Sequence, residues 1–178
     1  MSGSLAQAYV RQAKADFICY KLLKAGGQPA SQWLHFLQMT LEKTGKAYLA
    51  AYGSDLEHLR RSHLAFGRFI RLLPRNRAIR KERKISPRQL KYHIDRILPL
   101  ADKVERLAPA LSEGPNAEYP WKNPAGQLMT PCIYDFRDIL ADLESVRGRN
   151  LLKIVERAIL SITDLGEGRP SPVRAAYL

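Results

Sequence analysis

The sequence predicts an all-α fold, a single antiparallel bundle of five to six helices over residues 1–165 with a flexible tail at 166–178. Apolar side chains recur at steps of three and four through most of the chain, and proline or glycine stands where those steps lapse. No segment alternates apolar and β-branched residues with polar ones, so no strand is expected. A chain of 178 residues suffices for one core of ordinary size.

Leu5, Tyr9, Ala13, Phe17, Tyr20 and Leu23 predict a first helix from about Ser4 to Ala25, stopped by Gly26 and Gly27. Gln28 and Pro29 leave so short a turn that the next helix must return antiparallel. That second helix, Ser31 to Tyr52, is the expected centre of the bundle. Trp33, Leu37, Leu41, Tyr48 and Tyr52 form its stripe, widened by Phe36, Thr40, Ala47 and Ala51. Glu42 and Lys46 lie one turn apart on its border, beside Lys43. Asp55 caps a third helix that places Leu59, His63, Phe66, Ile70 and Leu73 on one face before Pro74 ends it. Within that stripe His63 reads as a packed residue with one hydrogen bond.

Arg75 to Lys84 has Ile79 as its only large apolar residue and reads as an exposed loop or frayed helix end. Ser86 and Pro87 then open a fourth helix along Leu90, Ile94, Ile97, Ala101, Val104, Ala108 and Leu111. A kink is expected near Leu98, ahead of Pro99, and a stop at Pro109. Ser112 to Thr130, with three prolines and two glycines, predicts a long loop. Tyr119 and Trp121 are its expected anchors on the bundle, with stacking on a base or a partner surface as their alternative use. Thr130 and Pro131 introduce a fifth helix through Phe136, Ile139, Leu140 and Leu143, weakening at Gly148. Leu151, Ile154, Val155, Ala158, Ile159 and Ile162 carry a sixth helix, or the same one after a kink.

The net charge of +12 is clustered. Arg68 to Lys91 holds ten Lys or Arg against Glu82 alone, a balance of +9, and the other 154 residues share +3. So concentrated a field attracts RNA, DNA, nucleotide phosphates or an acidic protein. The residues expected to carry it are Arg75, Arg77, Arg80, Lys81, Arg83, Lys84, Arg88 and Lys91. No run approaches the roughly 20 apolar residues that cross a bilayer, and the first residues lack the apolar core of a secretion signal, so a cytoplasmic address is expected. Cys19 and Cys132 read as buried free thiols rather than a disulfide or zinc pair. Asp135, Asp138 and Asp142 read as an exposed acidic face at a helix start, not a cation site. No phosphate-gripping glycine loop, metal-ligand spacing or activated nucleophile is present, and no cofactor is expected.

Three stretches, AKADFICYKLL at Ala13 to Leu23, LQMTLEKTGKAYLAAYG at Leu37 to Gly53, and SHL at Ser62 to Leu64, resemble the HEPN superfamily of helical domains. That superfamily includes prokaryotic toxins, defence proteins and partners of nucleotidyltransferases. The resemblance covers about the first third of the chain and implies a HEPN-like bundle that works as a homodimer or a subunit of a larger complex. Many members are metal-independent ribonucleases that use an Arg, four to six residues, then a His near the last helix. Here Arg149 and Asn150 stand near that helix with no His after them, and NAEYPW at Asn116 to Trp121 lacks the Arg of the corresponding family motif. Arg88 and His93 are the only pair at the family's spacing, and they open the fourth helix instead.

Three functions follow as expectations. The favoured one is a non-catalytic module that binds nucleic acid, RNA above all, or nucleotide phosphates through the basic segment. The second is a ribonuclease in which Arg88 steadies phosphate charge and His93 moves protons. The third is an interaction subunit that meets an acidic protein partner.

Overall fold

The protein, seen in a computed structural model, is described at residues 4–61, 63–75, 84, 86–108 and 114–166, with backbone only for 162–166. It is an all-α bundle. Its helices are α1 (Leu5–Ala25), α2 (Ala30–Ala51), α3 (Leu56–Arg60), α4 (Ala65–Leu72), α5 (Pro87–Glu105), α6 (Arg137–Glu144) and α7 (Val146–Gly166), with a 3-10 turn at Leu73–Arg75 after α4. The expected tail lies beyond the described residues, apart from Gly166 at the end of α7.

Helix α1 opens on a reciprocal cap: the Ser4 hydroxyl accepts from the Gln7 amide and the Gln7 side chain accepts from the Ser4 amide. The hairpin with α2 is antiparallel, since Tyr20 meets Trp33 edge-on while Asp16, further back in α1, reaches Lys43 further on in α2. Trp33, Leu37, Leu41, Ala47 and Tyr48 are buried as the stripe requires. Tyr52 is 43% exposed and Ala51 is exposed too, because α2 ends there, past the elements that cover its middle. One apolar core gathers residues from α1, α2, α4, α5, α6 and α7, with Phe66, Leu34, Leu37, Leu41, Ile70 and Leu151 among its fully enclosed side chains.

Several expectations need correction. Thr130 and Pro131 open no helix: residues 131–133 form a turn and α6 begins only at Arg137, while Cys132, in that turn, is exposed and Cys19 half-buried rather than both buried. The third predicted helix is two, α3 and α4, with His63 and Leu64 in the non-helical step between them. That step brings the start of α4 against Gly45, where a Cβ would lie 2.3 Å from the Ala65 carbonyl carbon and the Phe66 nitrogen. Only a glycine permits so close a backbone approach.

The break before the last helix falls at Ser145, not at Gly148. Ser145 is extended, and its hydroxyl accepts from the amides of Arg147 and Gly148, which caps α7. Gly148 sits in the first turn of α7, where a Cβ would lie 2.0 Å from the Leu143 carbonyl oxygen.

The loop after α5 holds a two-stranded antiparallel hairpin, β1 (Trp121–Lys122) with β2 (Leu128–Met129), where the sequence predicts no strand. Asn123 makes the hairpin by taking the Gln127 amide on its side chain while its own amide bonds the Gln127 carbonyl, and Gly126 supplies the positive φ of the turn.

Helix α5 starts on the expected Ser86–Pro87 signature, reinforced by Gln89, and runs through Pro99 to Glu105. It stops short of Pro109, which lies with Leu111 outside the described residues, while Leu107 and Ala108 stay buried in the turn that follows.

Candidate nucleic-acid interface

Helix α4 rises along the second half of α2, with Phe69 stacked on Tyr48 at 3.9 Å between ring centroids. Helix α5 comes back beside it, bringing Glu105 to the start of α4. Between these antiparallel rods the chain passes through the basic segment. Its core-facing residues are apolar: Phe69, Ile70 and Leu73 on one side, Leu90, Ile94 and Ile97 on the other. Helical periodicity therefore sends Arg88 and Lys91 outward.

Arg75, Lys84, Arg88 and Lys91 are all exposed. Arg77, Arg80, Lys81 and Arg83 lie outside the described residues, as does Ser62. Lys84 adopts a positive φ of 53°, a conformation that costs a non-glycine residue about 1 kcal/mol. Lys91 pairs with Asp95 at 2.6 Å across one exposed turn. Among the described residues no carboxylate forms an ion pair with Arg75, Lys84 or Arg88. Arg71 of α4 reaches Asp102 of α5 at 3.5 Å. Steps of seven place Asp102, Asp95 and Arg88 on one side of α5, so the arginine edge of α4 adjoins the face that carries Arg88.

One basic residue beyond the predicted set joins that face. Arg96 donates from Nη1 to the Tyr92 hydroxyl at 3.0 Å, and its guanidinium lies 5.5 Å from the Tyr92 ring centroid. Arg88, Tyr92 and Arg96 follow one another at steps of four, a row on the outside of α5. The step of four is visible in the sequence. That the row faces outward depends on the packing of Leu90, Ile94 and Ile97.

Arg88 and His93 do not share a face. Five residues of α-helix turn them about 140° apart, and the His93 ring, exposed, rests against Tyr92 at 5.8 Å. The other histidines are dispersed: His58 within 3.5 Å of Arg68, His35 4.0 Å from Glu118, and His63 3.6 Å from Glu42.

Tyr119 and Trp121 sit at the far end of α2 from these stems. Glu118 approaches His35, whereas α4 begins opposite Gly45, about 15 Å further along the helix axis at 1.5 Å per residue. Trp121 is half-buried and packs edge-on against Tyr134 at 4.9 Å, in the manner of an anchor. Tyr119 is 55% exposed, and its interaction with the neighbouring Glu118 carboxylate raises its pKa. The firmer anchor is Asn116, whose buried side-chain oxygen accepts from the amides of Glu118 and Tyr119.

A second polar constellation is buried. The fully enclosed Glu105 accepts from the amides of Phe66 at 2.8 Å and Gly67 at 2.9 Å, capping α4 from another helix. Burial pushes its carboxyl up to about 7; the two backbone donors oppose the rise, and the charges of Asp102 and Glu42 add to it. Glu42 itself holds Lys46 and the side chain of Gln38, so the predicted border pair is largely buried. Lys43 and Asp16 form another enclosed pair at 2.6 Å, with Gln12 on the same carboxylate.

Elsewhere a cleft of about 420 Å³ is lined by Lys103 and Arg106 but also by Asp135 and Asp138, so it offers an anion no net attraction. Asp135 is held by Arg137 and Asp142 by Lys103. Among the described residues no group of three potential ligands could hold a metal ion, and no helix is long and apolar enough to cross a membrane.

The fold and this surface define an all-α bundle with a basic edge. No family model, no curated protein and no solved structure matches the chain.

Proposed function

We propose that this is a non-catalytic helical module that takes nucleic acid, RNA in preference, on the basic face built by Arg75, Lys84, Arg88 and Lys91. The HEPN-like order of features adds to the proposal that the module works as a homodimer or as a subunit of a larger assembly of the defence type. One observation carries the reading: Arg75, Lys84, Arg88 and Lys91, concentrated in sequence, stand exposed on or between packed helical elements, and three of these four have no carboxylate partner among the described residues. Charge that a fold leaves unneutralised at one edge is available to a polyanion, and phosphate contacts there release counterions. Turnover forms no part of the proposal, since Arg88 and His93 diverge on their helix.

The test is a titration of labelled single-stranded RNA against the wild-type chain and the triple variant Arg75→Gln, Lys84→Gln, Arg88→Gln. Removing a cation that touches phosphate weakens binding, and the triple variant is expected to bind about 10- to 100-fold less tightly at moderate salt. A control with Arg11→Gln and Lys14→Gln, exposed on α1, should bind like wild type. Equal weakening in both variants overturns the assignment to this face. RNA bound no more tightly than heparin overturns it in favour of an acidic protein partner.

A further inference from the structure

We infer that Tyr92 is a stacking platform for an unpaired base, so that the basic face selects single-stranded over duplex nucleic acid. The inference rests on the binding role proposed above and names the ligand class it would take.

Tyr92 is 56% exposed on a helix whose apolar positions, Leu90, Ile94 and Ile97, are almost fully buried. The ring therefore contributes little to the core. It is nonetheless held: Arg96 engages both its hydroxyl, at 3.0 Å, and its π system, at 5.5 Å, while His93 meets it edge-on. Such a cation–π contact is attractive even at an exposed site. An aromatic ring kept in one orientation gives up little freedom when a flat ligand settles on it.

The flanking charges say which flat ligand. Arg88 stands one turn before Tyr92 and Arg96 one turn after, and the nearby Asp95 is paired with Lys91, so an aromatic plane lies between two cations spaced about 6 Å along the axis on either side. That is the arrangement by which single strands are held without sequence preference, with phosphates on the cations and a base on the ring. A duplex keeps its base faces stacked inside and can use only the cations. Tyr119 is as exposed as Tyr92, but it stands beside the carboxylate of Glu118, a setting that repels phosphate.

The experiment compares wild type, Tyr92→Ala, Tyr92→Phe and Tyr92→Trp by fluorescence anisotropy, using a labelled oligouridine of about 20 nucleotides, long enough to span the site, and an RNA duplex of the same length. Tyr92→Ala is expected to lose about tenfold in affinity for the single strand, the lower part of the range for one stacked base, and none for the duplex. Tyr92→Phe should keep single-strand affinity, and the indole of Tyr92→Trp should be quenched as oligouridine binds. If wild type binds both RNAs with the expected salt dependence while Tyr92→Ala binds the single strand unchanged, the platform is overturned and the basic-face reading stands. If wild type binds neither RNA, both are overturned.

Discussion

Glu105 ties the end of α5 to the start of α4, and its carboxyl makes that tie depend on pH. Its folded pKa of about 7 lies above the ordinary value of 4.5, so between those values the folded state holds the proton more often than the unfolded chain does. Stability from this group is therefore fully present below about pH 4.5, falls as pH rises, and levels off above about pH 7. The fall amounts to roughly 3 kcal/mol if the whole shift is expressed. Glu105→Gln should flatten that part of the profile in denaturant midpoints taken across the window, because a neutral amide has nothing to titrate. A variant whose slope matches wild type would show that the pH dependence arises elsewhere. The residue is half legible in the sequence. Glu105 stands four after Ala101 and three before Ala108, in phase with the apolar stripe, but phase alone cannot say that two distant amides wait for it. His63 reads from the sequence as a packed histidine with one hydrogen bond, whereas the fold leaves it half-exposed between α3 and α4, 3.6 Å from the Glu42 carboxylate.

At the scale of elements, Asp55 and Ser86 cap their helices where expected, whereas Thr130 and Pro131 open no helix and the breaks fall elsewhere. Ser4 and Ser86 each announce a helix through a side chain three residues from its backbone partner, a signal wholly contained in the local sequence. The interruption between α3 and α4 is not local. Leu59, Phe66 and Ile70 keep helical spacing on both sides of it, and what favours a break is the approach of α4 to Gly45 together with the cap from Glu105.

The α6–α7 junction follows the same logic, since Gly148 has the look of a breaker and instead admits the Leu143 carbonyl to the first turn of α7. Gly148→Ala should therefore destabilise the chain by about 1–3 kcal/mol through forced backbone displacement. Ser145→Ala should cost about 1 kcal/mol by removing the cap. Thermal unfolding of both variants checks this, and a Gly148→Ala protein as stable as wild type would contradict the close approach. The hairpin of Trp121–Lys122 and Leu128–Met129 is invisible to periodicity because strands of two residues are too short to show alternation.

Across the whole molecule, the sequence locates the charge but not its surroundings. The excess between Arg68 and Lys91 is countable, and the exposure of Arg75, Lys84, Arg88 and Lys91 follows from the apolar residues that alternate with them. Which cations keep a carboxylate, and that Tyr119 and Trp121 lie toward the other end of α2, depends on how the helices pack. The most direct test of the basic face is the salt dependence of single-stranded RNA binding by the intact chain. If about four cations engage phosphate, a plot of log affinity against log salt should fall with a slope near −3. A slope near zero, or no binding at about 50 mM salt, where such contacts are strongest, would contradict the account.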